Sequence, residues 1–395
     1  MRLLNQIIAV STINLKSLPQ RFLPSLSTIV AVALVVGVLL AFMAMAAGFQ
    51  RTLQGTGSPD IAILMRDGSQ QEVNSVITLD QVRLVGEAPG IVRKPDGSPL
   101  ISAELYVIVD GVKRSTGTKA NLPLRGIGAD GPALRPGMTL VAGRMFAPGS
   151  NEIIVGQALS KEFAGFDLGQ QVRFGTTVWT IVGTFAMEGS VFESEIWGDV
   201  RVVQSLFQRG SSFQTIRVRM QDQGALDQIK AFSEGDPRLK LAVTSEQDFF
   251  AGQSSGTVKL IQYAGWPLAI AMALGALAGA LNTMYSSVAA RSREIATLRC
   301  IGFGGTSAFI GTLLESLVLA VIGGLIGALA VWLLFDGAST STLGQGFTQI
   351  VFSIALTPAL VAQAMVLALG VGLIGGIFPA WRAARLPIAA AYAQG

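Results

Sequence analysis

The chain has 395 residues, half of them hydrophobic and only 14% charged, and this is too apolar for an ordinary soluble protein of its length; it reads as a membrane protein. Its formal net charge of +4 comes from basic residues that are scattered or flank apolar runs, so they read as topology signals and not as a nucleic-acid surface. With no histidine and a single cysteine, Cys300, it lacks the commonest general base and metal ligand and forms neither an intrachain disulfide nor a Cys-rich metal site.

Residues 1–21 combine Leu3, Leu4, Ile7, Ile8, Ile13 and Leu15 with Arg2 and Lys16 and no acid, which suits a short amphipathic helix on the membrane surface, a plain N-terminal tail being the alternative. Pro19 and Pro24 interrupt it, and the run from Phe22 to Gln50 carries no charge. Ala44-Met45-Ala46 resembles a signal-peptide cleavage site, but the stretch from Leu26 to Ala47 exceeds the roughly 7 to 15 residues of a signal core. Residues 22–50 are therefore read as a first transmembrane helix.

Residues 51–262 are mixed polar and charged, with turn signals such as Pro95-Asp96-Gly97 and Asp130-Gly131-Pro132, and read as a folded α+β domain inserted between spans. The expected strands are Ile61–Met65, Leu105–Val109, Ile153–Val155, Val178–Val182 and Ile216–Met220, and the expected helices Thr78–Glu87 with Thr78 as cap, Ala158–Phe163 and Gln223–Phe232.

Three further membrane-length runs follow, at 263–290, 306–335 and 358–381, with 291–305 as the junction between the second and third. Residues 336–357 form a Gly/Ser/Thr-rich connection and 382–395 a tail. Arg2, Lys16 and Arg21 precede the first span, Arg291, Arg293 and Arg299 lie in the junction, and Arg382 and Arg385 follow the fourth span. This distribution puts both termini and the junction in the cytoplasm and the large domain outside.

Gly275 and Gly279, Gly323 and Gly327, and Gly372 and Gly376 are spaced four apart, so each pair clears one helix face for close packing, although glycine is common in membrane helices. In the junction, Arg291, Arg293 and Glu294 precede Ile295, Leu298 and Ile301 at helical spacing, and Gly302-Phe303-Gly304-Gly305 ends the element. Such a segment either docks on a cytoplasmic partner or is a basic loop that only sets topology. Glu315, inside the third span, is an intramembrane acid that either has a function or simply snorkels to the nearby interface or caps a neighbour. In the outer domain Glu193 and Glu195 share a face with Trp197 if Phe192–Trp197 is extended, and read as a solvated or interface face more than as acid/base catalysts or a cation site. No G-x-x-x-x-G-K-[ST] phosphate loop occurs in the sequence.

The junction Ser292-Arg293-Glu294-Ile295-Ala296-Thr297-Leu298-Arg299-Cys300-Ile301-Gly302 resembles the R-x-[RK]-E-I-G-x-x-[RK]-A-[LI]-G segment of MacB/FtsX-type ABC transporter permeases, with Ala296 and Cys300 in place of the family's Gly and Ala. Glu315 matches the acid that opens the following span. Phe378-Pro379-Ala380-Trp381-Arg382-Ala383-Ala384-Arg385-Leu386-Pro387 resembles the family's closing motif without its Asp, and Gly143-Arg144, Asn151–Gly156 and Ile181-Val182-Gly183 are similar to its extracytoplasmic core domain.

The resemblance implies a four-helix permease of the mechanotransmission class (type VII), a stand-alone subunit in a bacterial inner membrane. It implies a homodimer or a pseudo-dimer with a similar permease, served by two copies of a separate ABC ATPase that bind the ATP and Mg. This chain itself then binds no cofactor and is not an enzyme. Arg291, Arg293, Glu294, Ile295, Leu298, Arg299 and Gly302 fall in the expected ATPase-coupling helix. The outer domain is expected to contact a periplasmic adaptor or the substrate, with Glu193, Glu195 and Trp197 assigned to that contact, and membrane lipids are further partners. The implied function is export of a hydrophobic, lipidic or peptide-like substrate; regulation of a cell-wall hydrolase without transport, or lipoprotein extraction, are the alternatives.

Overall fold

The charge-free runs fold as long helices, and the β-branched stretches between turn signals fold as strands. The structure is a computed structural model that describes residues 3–344 and 348–386. In chain order the elements are α1 (Leu3–Lys16), α2 (Phe22–Gln54), β1 (Ile61–Arg66), α3 (Leu79–Val85), β2 (Ile101–Lys113), β3 (Lys119–Ile127), β4 (Thr139–Gly143) and β5 (Glu152–Gly156). Then come α4 (Gln157–Glu162), β6 (Phe163–Ala164), β7 (Gln171–Phe174), β8 (Thr177–Ala186), β9 (Ile196–Asp199), α5 (Val200–Leu206), β10 (Thr215–Arg219), α6 (Ala225–Gly235) and β11 (Leu241–Ser245). The chain closes with α7 (Glu246–Ala290), α8 (Ser292–Cys300), α9 (Gly305–Phe335), β12 (Ser339–Leu343), β13 (Gln349–Ser353) and α10 (Pro358–Ala384). Residues 387–395, which include Pro387 of the closing motif and most of the expected tail, lie outside the described residues, as does Arg2.

Two units divide the chain. The sheet unit comprises residues 48–259 and 338–354, so the connection expected as a plain loop contributes the β12–β13 hairpin to it. Eleven strands form one sheet, with order β11-β1-β10-β2-β3-β9-β5-β8-β4 and with β6 on β2 and β7 on β8. Period-2 alternation sets what each strand buries. Along β8, Trp179, Ile181 and Phe185 are buried while the alternating Val178, Thr180, Val182 and Thr184 are not, and the first two join Leu105, Val107, Leu124 and Ile196 in one apolar cluster. A second cluster gathers Ala62, Leu64, Ile216 and Val218 with Val85 of α3 and Ile229 of α6. Thr78 caps α3 in a full capping box with Gln81: the Thr78 hydroxyl accepts from the Gln81 N–H and the Gln81 side-chain oxygen from the Thr78 N–H, so two backbone donors at the helix start are paired. Sequence reading passed over β3, because Pro123 and Arg125 break the hydrophobic run Leu122–Ile127.

Among the described residues, the helical unit comprises 3–47, 260–337 and 355–386. Helices α2, α7, α9 and α10 are long and apolar enough to cross a membrane. Helix α7 starts well before its apolar run, at Glu246, where the Ser245 hydroxyl accepts a 3.0 Å bond from the Asp248 N–H and two acids favour the positive helix start. Between helices there is no hydrophobic driving force in lipid, so close packing and a few polar bonds must hold them. A Cβ at Gly323 would fall 2.7 Å from the Ile29 carbonyl, and Gly327 meets the Ala33 backbone, so this pair seats α9 on α2. Gly372 and Gly376 seat α10 on α9, with Cβ positions 2.5 Å from Ala320 Cβ and 2.7 Å from Ser316 Cβ. The Ser316 hydroxyl donates a 2.7 Å bond to the Gly372 carbonyl at the same crossing. Gly275 and Gly279 of α7 face open space.

Candidate functional site

The junction is built around one buried guanidinium. Arg291 occupies the N-cap position of α8 and is 5% exposed. A charge removed from water costs several kcal/mol by order of magnitude unless it is fully paired. Here Nε donates to Glu294 Oε2 at 3.0 Å, Nη1 to Glu315 Oε2 at 3.3 Å and Nη2 to Asn14 Oδ1 at 2.6 Å. Glu315 is therefore the partner of a buried cation and does not snorkel to an interface. Ile295 packs with Val288, Ala308 and Ala383, and Arg299 donates to the Leu386 carbonyl. Gly302, with φ of +99°, ends α8 in a backbone region that other residues rarely enter.

The residues expected to couple thus divide between two faces of one helix. Arg291 and Ile295 are buried and anchor α8, while Leu298 and Arg299 are half-buried. Arg293, Thr297 and Cys300, spaced i, i+4 and i+7, form an exposed stripe, flanked by Glu294 and by Ile301 at 69% exposure. Sequence reading missed Asn14 and Gln6. Gln6 donates from Nε2 to the Gly302 carbonyl at 3.1 Å and accepts from the Gly304 N–H at 3.3 Å. Both are ordinary polar residues of an amphipathic segment, and only their i, i+8 spacing on one helix face hints at a shared partner.

In the sheet unit, Glu193, Glu195 and Trp197 do not form a surface. Val191–Ser194 is a short 3-10 turn and only Ile196–Asp199 is strand, so the expected extended segment is absent. Glu193 is buried and accepts from the N–H groups of Met187 and Gly189 at 2.7 and 2.8 Å, closing a turn. Glu195 accepts two 2.7 Å bonds from Arg125 and a 2.8 Å bond from the Trp197 indole, with all three side chains 2% exposed or less. The outward reading fails because that face is covered: Arg125, in register with Trp197 on the neighbouring β3, holds Glu195, and Arg135, Phe185 and Phe192 pack on the Trp197 ring.

These residues belong to a larger buried network on the sheet face opposite the apolar clusters. Glu104 of β2 accepts from Arg135 at 2.7 and 2.8 Å, from Arg125 at 3.2 Å and from Arg217. Arg217 of β10 also donates at 2.7 Å to Glu72 and at 2.7 Å to Glu246, the first residue of α7. The Phe192 ring lies 5.0 Å from the Arg135 guanidinium and under 6 Å from those of Arg125 and Arg217. Burial pushes the Glu104 carboxyl up, but the charges of Arg135 and Arg217 outweigh it and hold the group far below the usual range. Glu72 is likewise lowered: burial raises it and Arg125 and Arg217 override. The sequence signal was a single ionisable residue set between apolar neighbours, Glu104 in β2 and Arg125 in β3, and the alternating Arg217 and Arg219 of β10.

No group of three or more His, Cys, Asp or Glu placed to hold a metal exists among the described residues. The cavity beside Tyr106, Arg125 and Glu195 measures about 40 Å³, enough for water and far short of the ~300 Å³ that small-molecule sites begin at.

Among the described residues, four membrane-length helices, a large sheet unit and a short charged helix between the second and third of those helices give the organisation of a multi-pass membrane protein. A family profile described as the MacB-like periplasmic core domain matches residues 25–231, and one described as the FtsX-like permease C-terminal matches residues 267–388. The chain belongs to the MacB/FtsX-type ABC transporter permease family, whose members are multi-pass proteins of the inner membrane.

Among curated relatives, the macrolide export ATP-binding/permease protein MacB of Neisseria gonorrhoeae is 25% identical over 330 residues, covering 76% of this chain and 49% of that protein. The protein of the same name from Rhodopseudomonas palustris is 25% identical over 408 residues, covering 97% of this chain and 59% of its own length. The chain thus spans about half to three-fifths of the length of these relatives. Among solved structures, the periplasmic region of MacB from Actinobacillus actinomycetemcomitans aligns with a TM-score of 0.36 at 13% identity, covering 51% of this chain and 94% of that one.

Proposed function

We propose that this chain is the permease half of an export machine driven by an ATP-hydrolysing partner, with α8 as the element on which the partner pushes. The observation that carries this is the two-faced α8. Its inner face is anchored by Arg291 and Ile295, and its outer face leaves Arg293, Glu294, Thr297, Cys300 and Ile301 open. A helix that floated free would absorb a push locally, whereas one bolted to its neighbours passes displacement on.

In this reading two ATPase copies, carrying ATP and Mg, act on a dimer of this chain or on a pair with a similar permease. The junction and both termini face the cytoplasm, consistent with arginines near the span ends and none after α9 up to Trp381. The exposed apolar residues Leu4, Ile8 and Leu15 of α1 lie on lipid. The sheet unit then stands outside the cytoplasm and changes posture with each ATP cycle, aided by a periplasmic adaptor. The relatives' names point to export of a hydrophobic substrate of the macrolide type or size.

Tagged chain extracted in mild detergent should bring down a P-loop ATPase, and Arg293→Glu with Ile301→Asp should abolish that capture while the monodisperse elution profile is kept. Recovery of no ATPase, or equal recovery by the variant, would defeat the reading.

A further inference from the structure

We infer that helix α1 is a working part of the junction, latched to α8 and α9 through Arg291, and that Arg291 is a positioning residue which sets how the open stripe of α8 is presented. The inference rests on the reading of α8 as the driven element and extends it to a segment that neither family profile includes, since the first of them starts at residue 25.

Three side chains of α1 carry the argument. Gln6, Val10 and Asn14 follow one another at i, i+4 and i+8, so they line one stripe of the helix. Gln6 clamps the turn between α8 and α9 from both sides of its amide, donating to Gly302 and accepting from Gly304. Val10 is buried against α9 so closely that a Cβ on Gly311 would lie 2.7 Å from its Cγ1. Asn14 is 4% exposed and accepts from Arg291 at 2.6 Å.

Arg291 thereby joins three helices with one rigid, planar group: Asn14 of α1, Glu294 of α8 and Glu315 of α9. Three of its N–H donors are held by these bonds, leaving them unpaired out of water is costly, and the group cannot shed its charge. Any rotation of α8 that carries Arg291 must therefore bring Asn14 and Glu315 along or exchange them together. The cavity beside Arg291, lined by Val10, Asn14, Ile295 and Thr312, measures only about 20 Å³, room for about one water, so the group is closely held where it sits. α1 is accordingly a strap that shares each movement of α8.

The natural Cys300 offers a direct probe, because it is the sole cysteine and lies on the open stripe of α8. The full chain is spin-labelled at Cys300 in lipid nanodiscs and compared as wild type, Asn14→Leu, Asn14→Asp and Gln6→Ala. Wild type and Asn14→Asp, which keeps an acceptor for Arg291, should give the same immobilised spectrum. Asn14→Leu and Gln6→Ala should each show a new mobile component with an unchanged melting temperature of the sheet unit. Spectra of both matching wild type would overturn the latch, as would a failure of Asn14→Asp to keep the wild-type line shape. Should Asn14→Leu not fold, Gln6→Ala decides alone, because Gln6 is only half-buried and its loss strands no charge. With the captured ATPase present, Asn14→Leu should lower stimulated hydrolysis and Asn14→Asp restore it. If wild type captures no ATPase the docking reading fails by itself, and the spectra still settle the latch.

Discussion

The guanidinium of Arg125 lies edge-on to the carboxylate of Glu195, donating from Nε and Nη2 to its two oxygens at 2.7 Å each, with both side chains cut off from water. Pairing of this kind is a condition of folding more than a source of stability. Removing one member leaves the other buried and charged, at a cost of about 3–5 kcal/mol. Glu195→Ala should therefore destabilise the sheet unit by roughly that amount, read as a lowered denaturant midpoint of Trp197 fluorescence. Glu195→Gln keeps the shape and an acceptor for the Trp197 indole, and should cost less. Equal stability of Glu195→Ala and wild type would show that the pair is not closed in solution.

The glycine pairs differ in what they touch. Gly327→Ala and Gly372→Ala place a methyl group against Ala33 and Ala320, where no space exists, and overpacking of this sort costs typically ~1–3 kcal/mol. Both should lower the thermal stability of the detergent-solubilised chain. Gly275→Ala and Gly279→Ala meet no neighbouring atom and should leave the single chain's stability unchanged. If the open face of α7 is where a second copy docks, these two should instead weaken cross-linked dimer in membranes, and that contrast is measurable on one gel.

Much of this architecture is legible in the sequence, because alternation and length are local properties. Val178–Val182 alternates and folds as part of β8, Thr78 precedes Gln81 by three and caps α3, and the charge-free runs become α2, α7, α9 and α10. The partners of isolated charges are not legible, since they are set by which strands lie side by side. Nothing near Glu195 in the chain announces Arg125, which reaches it only because β3 and β9 pair in parallel. Asn14 and Arg291, 277 positions apart, meet only because α1 packs against the helices of the junction. The exposed reading of Glu193 and Glu195 took Phe192–Trp197 as extended, whereas Val191–Ser194 turns and both carboxylates are held inside by donors from elsewhere in the chain.

Acid should loosen the sheet unit in a defined window. The fork of Arg144 on Glu152, at 2.6 and 2.7 Å, lowers the Glu152 carboxyl to about 2 from an ordinary 4.5, helped by the Ala147 N–H. Glu72 and Glu104 are also depressed in the folded chain. A group whose folded value lies below its unfolded one contributes fully above the unfolded value, near pH 4.5, and loses that contribution as pH falls toward the folded one. Stability should therefore be flat as far as these acids are concerned from neutrality to about pH 5 and decline below pH 4.5. Arg144→Gln should soften only a small part of the decline, because that pair is largely solvated. A stability that rises on acidification through this range would contradict the buried ionised network.

The two faces of α8 should respond oppositely to substitution. Ile295→Ala opens a void against Val288, Ala308 and Ala383, a change that costs on the order of 2–5 kcal/mol when the site does not collapse. Its primary effect is on folding, so it should lower the melting temperature and with it every activity in proportion. Arg293→Glu and Ile301→Asp alter side chains that are solvent-facing in the isolated chain, and such changes lie within about 0.5 kcal/mol of neutral for stability. They should leave the melting temperature unchanged and remove stimulation of the partner's ATP hydrolysis. Glu294→Gln stands between the two, since its carboxylate is 60% exposed yet holds Nε of Arg291. Partial loss of coupling with a small change in melting temperature is the expected outcome there. If Arg293→Glu and Ile301→Asp instead lowered stability as much as Ile295→Ala, α8 would have no free face, and a docking role for it would be untenable.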